Sequence, residues 1–168
     1  MLAQPPAVAP SVHPAPSPGA AQPFGLGEER IGMDMTAFAS QPKVSCAPGK
    51  AADVTVCHGP DRQLGGGYFA RDLTYRFVGG RLAQIRFSSS IDAFSWVTAQ
   101  LKKDDGQPSA IARDIAVLKG GATLPHMLVT WKNGRSTIAL SDPVQPPTQL
   151  SVSITRDAAA AELARGQS

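Results

Sequence analysis

The chain has 168 residues, of which 42% are apolar and 17% are charged, and its formal net charge is +3. This composition is typical of a globular protein and excludes an intrinsically disordered chain. The positive charge is too small and too dispersed to indicate a nucleic-acid-binding protein, and no apolar run approaches the ~20 residues that a membrane-spanning helix needs. We therefore expect a globular domain with no nucleic-acid partner and no transmembrane segment.

Residues 1–23 are rich in proline and alanine. Proline fixes the backbone and removes a hydrogen-bond donor, so this composition predicts a disordered or extended tether. The segment lacks the basic start and apolar stretch of a signal peptide, although residues 2–6 resemble the first residues after a signal cleavage site in secreted bacterial proteins. We expect a single domain over residues 24–156 and an Ala-rich tail over residues 157–168.

The domain opens with a short helix and two short strands. The stretch 31–38 indicates a helix that Asp34 caps and that buries Met35 and Phe38. Strands are then predicted over residues 44–46 and 54–57, on either side of a Pro-Gly turn.

These strands carry the two cysteines of the chain, Cys46 and Cys57. We predict that a disulfide joins them, which requires that the two strands pair, and closing a loop of this size stabilises a fold by about 3 kcal/mol. The alternative is two free, buried thiols in a cytosolic protein. Neither cysteine has the spacing of a zinc site, so we expect no metal ligands and no cofactor.

The clearest local pattern in the sequence predicts a long β-hairpin over residues 73–87. Its apolar residues alternate along both strands, as Leu73, Tyr75 and Phe77 and then as Ala83, Ile85 and Phe87. A two-residue turn at residues 79–80 would place these rows on opposite faces of the hairpin. We therefore predict a three-residue turn over residues 78–80, which pairs Tyr75 with Ala83.

An amphipathic helix follows over residues 91–103. Ser89 and Asp92 have the spacing of a capping box, and Gly106 is a helix stop. The apolar stripe of this helix comprises Phe94, Val97 and Leu101. We expect the helix to lie on the apolar face of the sheet.

Residues 109–121 fit either a strand or a short helix that ends at a Gly-Gly pair, and we favour a strand at 114–118. The remaining pattern predicts a hairpin from 127–131 and 135–141 and a last strand at 150–155. A two-residue Asn-Gly turn in the hairpin pairs Trp131 with Ser136. The fold class is then α+β, with an antiparallel sheet and two short-to-medium helices packed on one face. The two halves are candidates for two diverged helix–hairpin units.

Several short motifs resemble one family of envelope proteins. They are Ile-Gly-Met before the first helix, Tyr-Arg-Phe-Val-Gly-Gly-Arg-Leu-Ala-Gln-Ile in the long hairpin, Trp131 before a Gly turn, and Cys46 and Cys57 ahead of that hairpin. Over roughly residues 24–156 the chain resembles periplasmic domains of the type of the assembly lipoprotein BamE and the β-lactamase-inhibitor protein. The resemblance implies helices on one face of an antiparallel sheet, an envelope location and protein binding. No cysteine lies near Met1 to carry a lipid, which departs from the lipoproteins.

No set of residues has the spacing of a catalytic site. His126 has no matched nucleophile in the sequence, so a surface or core-edge role is expected. The adjacent acids Glu28 and Glu29 are expected to be solvated charges. We therefore expect a protein that is not an enzyme.

The candidate binding face consists of Arg76 and Arg86, which share the polar face of the long hairpin. The function that these features favour is a non-catalytic, periplasmic or secreted binding module of the bacterial envelope. Its expected partner is another envelope protein or an anionic envelope polymer. The alternatives are an enzyme with an unrecognised site and a cytosolic basic adaptor.

Overall fold

The computed structural model describes residues 22–142 and 147–165, so the predicted tether lies outside the described residues except for Gln22 and Pro23. Strands, helices and two 3-10 turns make up this part of the chain. Their bounds are β1 (Gly25–Leu26), β2 (Glu29–Arg30), α1 (Met35–Ala39), β3 (Ser45–Pro48), β4 (Val54–His58), β5 (Arg62–Gly65), β6 (Tyr68–Val78), β7 (Arg81–Ser90), a 3-10 turn (Ile91–Ala93), α2 (Phe94–Asp105), β8 (Ala110–Val117), β9 (Thr123–Lys132), β10 (Ser136–Asp142), β11 (Gln149–Arg156), a 3-10 turn (Asp157–Ala159) and α3 (Ala160–Arg165).

A nine-stranded antiparallel sheet dominates the fold, in the order β3-β4-β6-β7-β11-β10-β9-β8, with β5 paired to β6. Strands β1 and β2 form a separate two-stranded ribbon. In each half of the chain a helix precedes strands of this sheet, and the two sets of strands meet through their last members, β7 and β11. The α+β class is confirmed, with a large sheet and few helices.

One face of the sheet carries the hydrophobic core. Strand side chains point alternately to the two faces, and the apolar residues of most strands occupy every second position, so they lie on the same face. Twelve large apolar side chains on this face are no more than 2% exposed: Leu73, Tyr75, Phe77, Leu82, Ile85, Val129, Trp131, Ile138, Leu140, Leu150, Val152 and Ile154. The predicted alternation of the last strand is thereby confirmed.

Helix α1 forms over Met35–Ala39, at the end of the predicted stretch, with the predicted cap, but Met35 is only half-buried. Asp34 is its N-cap, and its Oδ1 accepts a hydrogen bond from the Thr36 N–H at 2.9 Å. Phe38 is fully buried, and its ring centroid lies 4.4 Å from that of Tyr75 on β6. The helix therefore packs on the core face of the sheet.

Helix α2 also packs on the core face, where Val97 is buried, but it begins differently from the prediction. The capping box does not form, because Ser89 lies in β7, paired with Leu150, and its side chain is buried in the sheet. A 3-10 turn after Ser90 starts the helix without a side-chain cap. Gly106 ends it with a positive φ of 82°, as predicted.

The predicted register of the long hairpin is wrong. The turn has two residues, 79–80, and the observed pairs are Val78 with Arg81, Phe77 with Leu82, Arg76 with Gln84 and Tyr75 with Ile85. Ala83 is therefore an extra residue on β7, which forms a β-bulge. The bulge brings both apolar rows to the core face without a three-residue turn.

The predicted register of the second hairpin is also wrong, by two residues. Trp131 pairs with Ile138 instead of Ser136, and Lys132 pairs with Thr137. Asn133 stabilises the longer loop that results, because its Oδ1 accepts hydrogen bonds from the main-chain N–H groups of Arg135 and Ser136. A shift of two residues leaves every side chain on its predicted face.

Residues 157–165 pack on the opposite face of the sheet, a role that the sequence pattern did not indicate for the Ala-rich tail. Ala159 and Leu163 are buried there against Val78 and Ala83. The bulge makes this possible, because it directs Ala83 away from the core. The prediction of helices on one face thus holds for α1 and α2 but not for α3.

Candidate functional site

The predicted disulfide between Cys46 and Cys57 is confirmed. The register of β3 and β4 places the two residues directly opposite each other, with their Cα atoms 4.0 Å apart. Cys57 is fully buried, whereas β3 is exposed along its whole length. The disulfide therefore attaches an exposed edge strand to the core.

Arg76 on β6 and Arg86 on β7 lie on the sheet face opposite to the core. Thr74 is paired with Arg86 and Arg76 with Gln84, so the two arginines are diagonal neighbours about 7–8 Å apart at their Cα atoms. Both line one shallow cavity of about 530 Å³. We name this the arginine cavity.

Hydroxyl groups surround the two arginines. Ser153 on β11 lies opposite Arg86, and Ser151 lies opposite Ser88. Asp72 also lines the arginine cavity, but its Oδ2 accepts a hydrogen bond from the Ser88 hydroxyl at 2.7 Å. The cavity thus combines two guanidinium groups with hydroxyl groups and one carboxylate, whose single negative charge is outnumbered by the two positive charges.

The two arginines share no ion pair with a carboxylate in the part of the chain that the structure describes. Burial lowers the pKa of Arg76, and the positive charge of Arg86 lowers it further. The Nε of Arg76 is buried without a hydrogen-bond acceptor among the described residues. Two like charges held together in this way favour the binding of an anion between them.

His126 belongs to a polar cluster on the same face that sequence reasoning missed. Its Nδ1 lies 2.8 Å from Asp114 Oδ1 on β8, and its Nε2 lies 2.9 Å from Ser141 Oγ on β10. Asp114 and His126 are directly opposite in the sheet. Only the register of β8, β9 and β10 brings the three residues together, and no sequence spacing among them signals it.

Glu29 is buried, contrary to the prediction that it is a solvated charge. Its carboxylate accepts two hydrogen bonds from Arg62, at 2.6 Å and 2.5 Å. Arg62 also donates to the Leu26 carbonyl at 3.1 Å. This ion pair ties the β1–β2 ribbon to β5 and has a structural role.

Among the described residues, no group of three or more His, Cys, Asp or Glu side chains is arranged to hold a metal ion. In the same ranges, no helix combines the length and the apolar character that crossing a bilayer requires. Comparison with protein-family models, curated proteins and solved structures finds no match to the chain.

Proposed function

We propose that this protein is a binding module of the bacterial envelope, periplasmic or secreted, that binds an acidic segment of another envelope protein in the arginine cavity. One observation carries the proposal. Arg76 and Arg86 line the same cavity, and neither is paired with a carboxylate among the described residues. A bound carboxylate would offset their mutual repulsion.

The chemistry of the cavity fits a carboxylate ligand. The guanidinium group presents its donors in a planar fork that matches a carboxylate, and such charge-assisted hydrogen bonds are stronger than neutral ones. The cavity is shallow and lies on a broad sheet, a shape that suits a protein surface better than a small buried ligand. The alternative ligand is an anionic polymer, and the titration described below distinguishes it from an acidic protein segment.

Two features of the fold support the envelope location. A disulfide such as Cys46–Cys57 persists in oxidising compartments and is rare in the cytosol. The second feature is the arrangement of a helix followed by antiparallel strands in each half, which is compatible with the two diverged units that the proposal assumes.

Reversing the charge of both arginines, as Arg76→Glu with Arg86→Glu, is expected to weaken binding of a poly-glutamate peptide at least tenfold. The two carboxylates would repel the ligand, and two bidentate contacts would be lost. Isothermal titration at low salt measures the affinity. A sulfated polysaccharide is titrated in parallel, because a ligand preference for it over the peptide would favour an anionic polymer as the partner.

The matched control carries the same change of charge elsewhere, as Arg113→Glu with Lys119→Glu. Neither of these residues lines the arginine cavity. The control is expected to retain most of the affinity. Equal weakening in both double variants would mean that only net charge matters, and it would overturn the proposed site.

The proposed compartment predicts that Cys46 and Cys57 are joined in protein isolated from its own cells. A peptide map by mass spectrometry, with free thiols blocked during lysis, should show the linked peptide before reduction and the two separate peptides after it. Two blocked thiols instead would place the protein in a reducing compartment. The envelope location would then be wrong.

A further inference from the structure

Asp114, His126 and Ser141 form a hydrogen-bonded row across three adjacent strands. Asp114 contacts the Nδ1 of His126 at 2.8 Å, and Ser141 contacts its Nε2 at 2.9 Å. The side chain of His126 is 22% exposed and that of Asp114 is 72% exposed, so the row lies at the surface. A reagent in solution can therefore reach it.

The partners of His126 determine which nitrogen carries the proton. An ionised carboxylate can only accept hydrogen bonds, so the Nδ1 must donate to Asp114. In the neutral imidazole the Nε2 is then an acceptor, and the Ser141 hydroxyl donates to it. This is the connectivity in which an imidazole can take a proton from a serine hydroxyl.

We propose that Ser141 is a base-activated nucleophile that accepts acyl groups from activated esters. His126 is the general base, and Asp114 is a positioning residue that holds the imidazole. The Ser141 Oγ forms a bond to the acyl carbon while its proton passes to the His126 Nε2. The carbon–oxygen bond to the leaving group then breaks, and the departing oxygen takes that proton. The products are an acylated serine and an alcohol.

The surroundings of Ser141 set the kind of reactivity to expect. Both edges of β10 are paired at this position, with Leu128 on β9 and with Ser151 on β11. Main-chain N–H groups of the strand are thus engaged in the sheet, and the Ser151 hydroxyl opposite is the neighbouring donor for a developing oxyanion. Because a pair of main-chain donors contributes much of the rate in efficient hydrolases, we expect a stoichiometric burst of acylation followed by slow turnover.

The test uses the full chain and a fluorophosphonate probe, which forms an Oγ–phosphorus bond and releases fluoride. We expect one adduct per chain, located at Ser141 by peptide mapping, and none on Ser141→Ala. His126→Ala should slow labelling by about a hundredfold or more. Asp114→Asn, which has the same shape, should slow it at least tenfold, and Asp114→Glu should restore most of the rate.

A second readout is the release of nitrophenol from nitrophenyl acetate, for which we expect a burst of one equivalent that Ser141→Ala abolishes. Urea unfolding of each variant checks that it folds, and unfolded wild-type protein should not be labelled at Ser141. Labelling of Ser141 no faster than that of Ser88 or Ser151 would overturn the proposal. So would a rate that His126→Ala leaves unchanged in a folded protein.

Discussion

Replacing Trp131 by alanine is expected to lower the free energy of unfolding by about 3–5 kcal/mol. The indole is 1% exposed and lies on the core face of β9, opposite Ile138. Its Nε1–H also donates to the carbonyl of Gly106 at 3.0 Å, which links the sheet to the end of α2. The substitution removes both the packing and this hydrogen bond, and urea unfolding measures the loss.

Trp131→Phe separates the two contributions, because it keeps most of the ring and removes the donor. We expect a smaller loss of about 1–2 kcal/mol, since the Gly106 carbonyl loses its partner. Trp96→Ala serves as the comparison, because Trp96 is only half-buried. A loss of under about 1 kcal/mol for Trp131→Ala would show that Trp131 is not an anchor of the core.

Replacing Arg62 by alanine is expected to cost about 3 kcal/mol, because it leaves the Glu29 carboxylate buried without its partner. The Glu29 side chain is 4% exposed, whereas that of Arg62 is 34% exposed. Water can therefore reach the site that Arg62 vacates. The expected loss of stability thus lies at the lower end of the range for breaking a buried ion pair. Adding Glu29→Gln to Arg62→Ala should recover part of the loss, since an amide costs less to bury than a charge.

The same pair predicts a dependence on pH. Burial has the largest single effect and raises the pKa of Glu29. The hydrogen bond and charge of Arg62, a main-chain hydrogen bond and a hydrogen bond from Gln41 together outweigh burial and hold that pKa below the ordinary value of 4.5. The contribution of the pair is therefore complete above about pH 4.5 and is lost as the pH falls through the folded-state pKa. The stability difference between wild type and Arg62→Ala should thus shrink on acidification. A difference that stays constant from about pH 7 to about pH 3 would contradict the assigned role of the pair.

The candidate sites differ in how far the sequence could predict them. Cys46 and Cys57 flank a local turn, so a short-range pattern sufficed to pair them. Arg76 and Arg86 were assigned to one face because strand side chains alternate. This assignment stays correct when the predicted strand register is wrong by an even number of residues. Glu29 was misjudged because its partner Arg62 lies 33 residues away.

The sequence by itself determined the antiparallel α+β class, the core side of most strands, the cap of α1, the stop of α2 and the disulfide. Each of these depends on neighbours within a turn or on the two-residue period of a strand. Only the tertiary structure decided the β-bulge at Ala83, the docking of Leu163 on the outer face, and the meeting of Asp114, His126 and Ser141. These features depend on which strands pair and in which register, and that choice is made by the packing of the whole sheet.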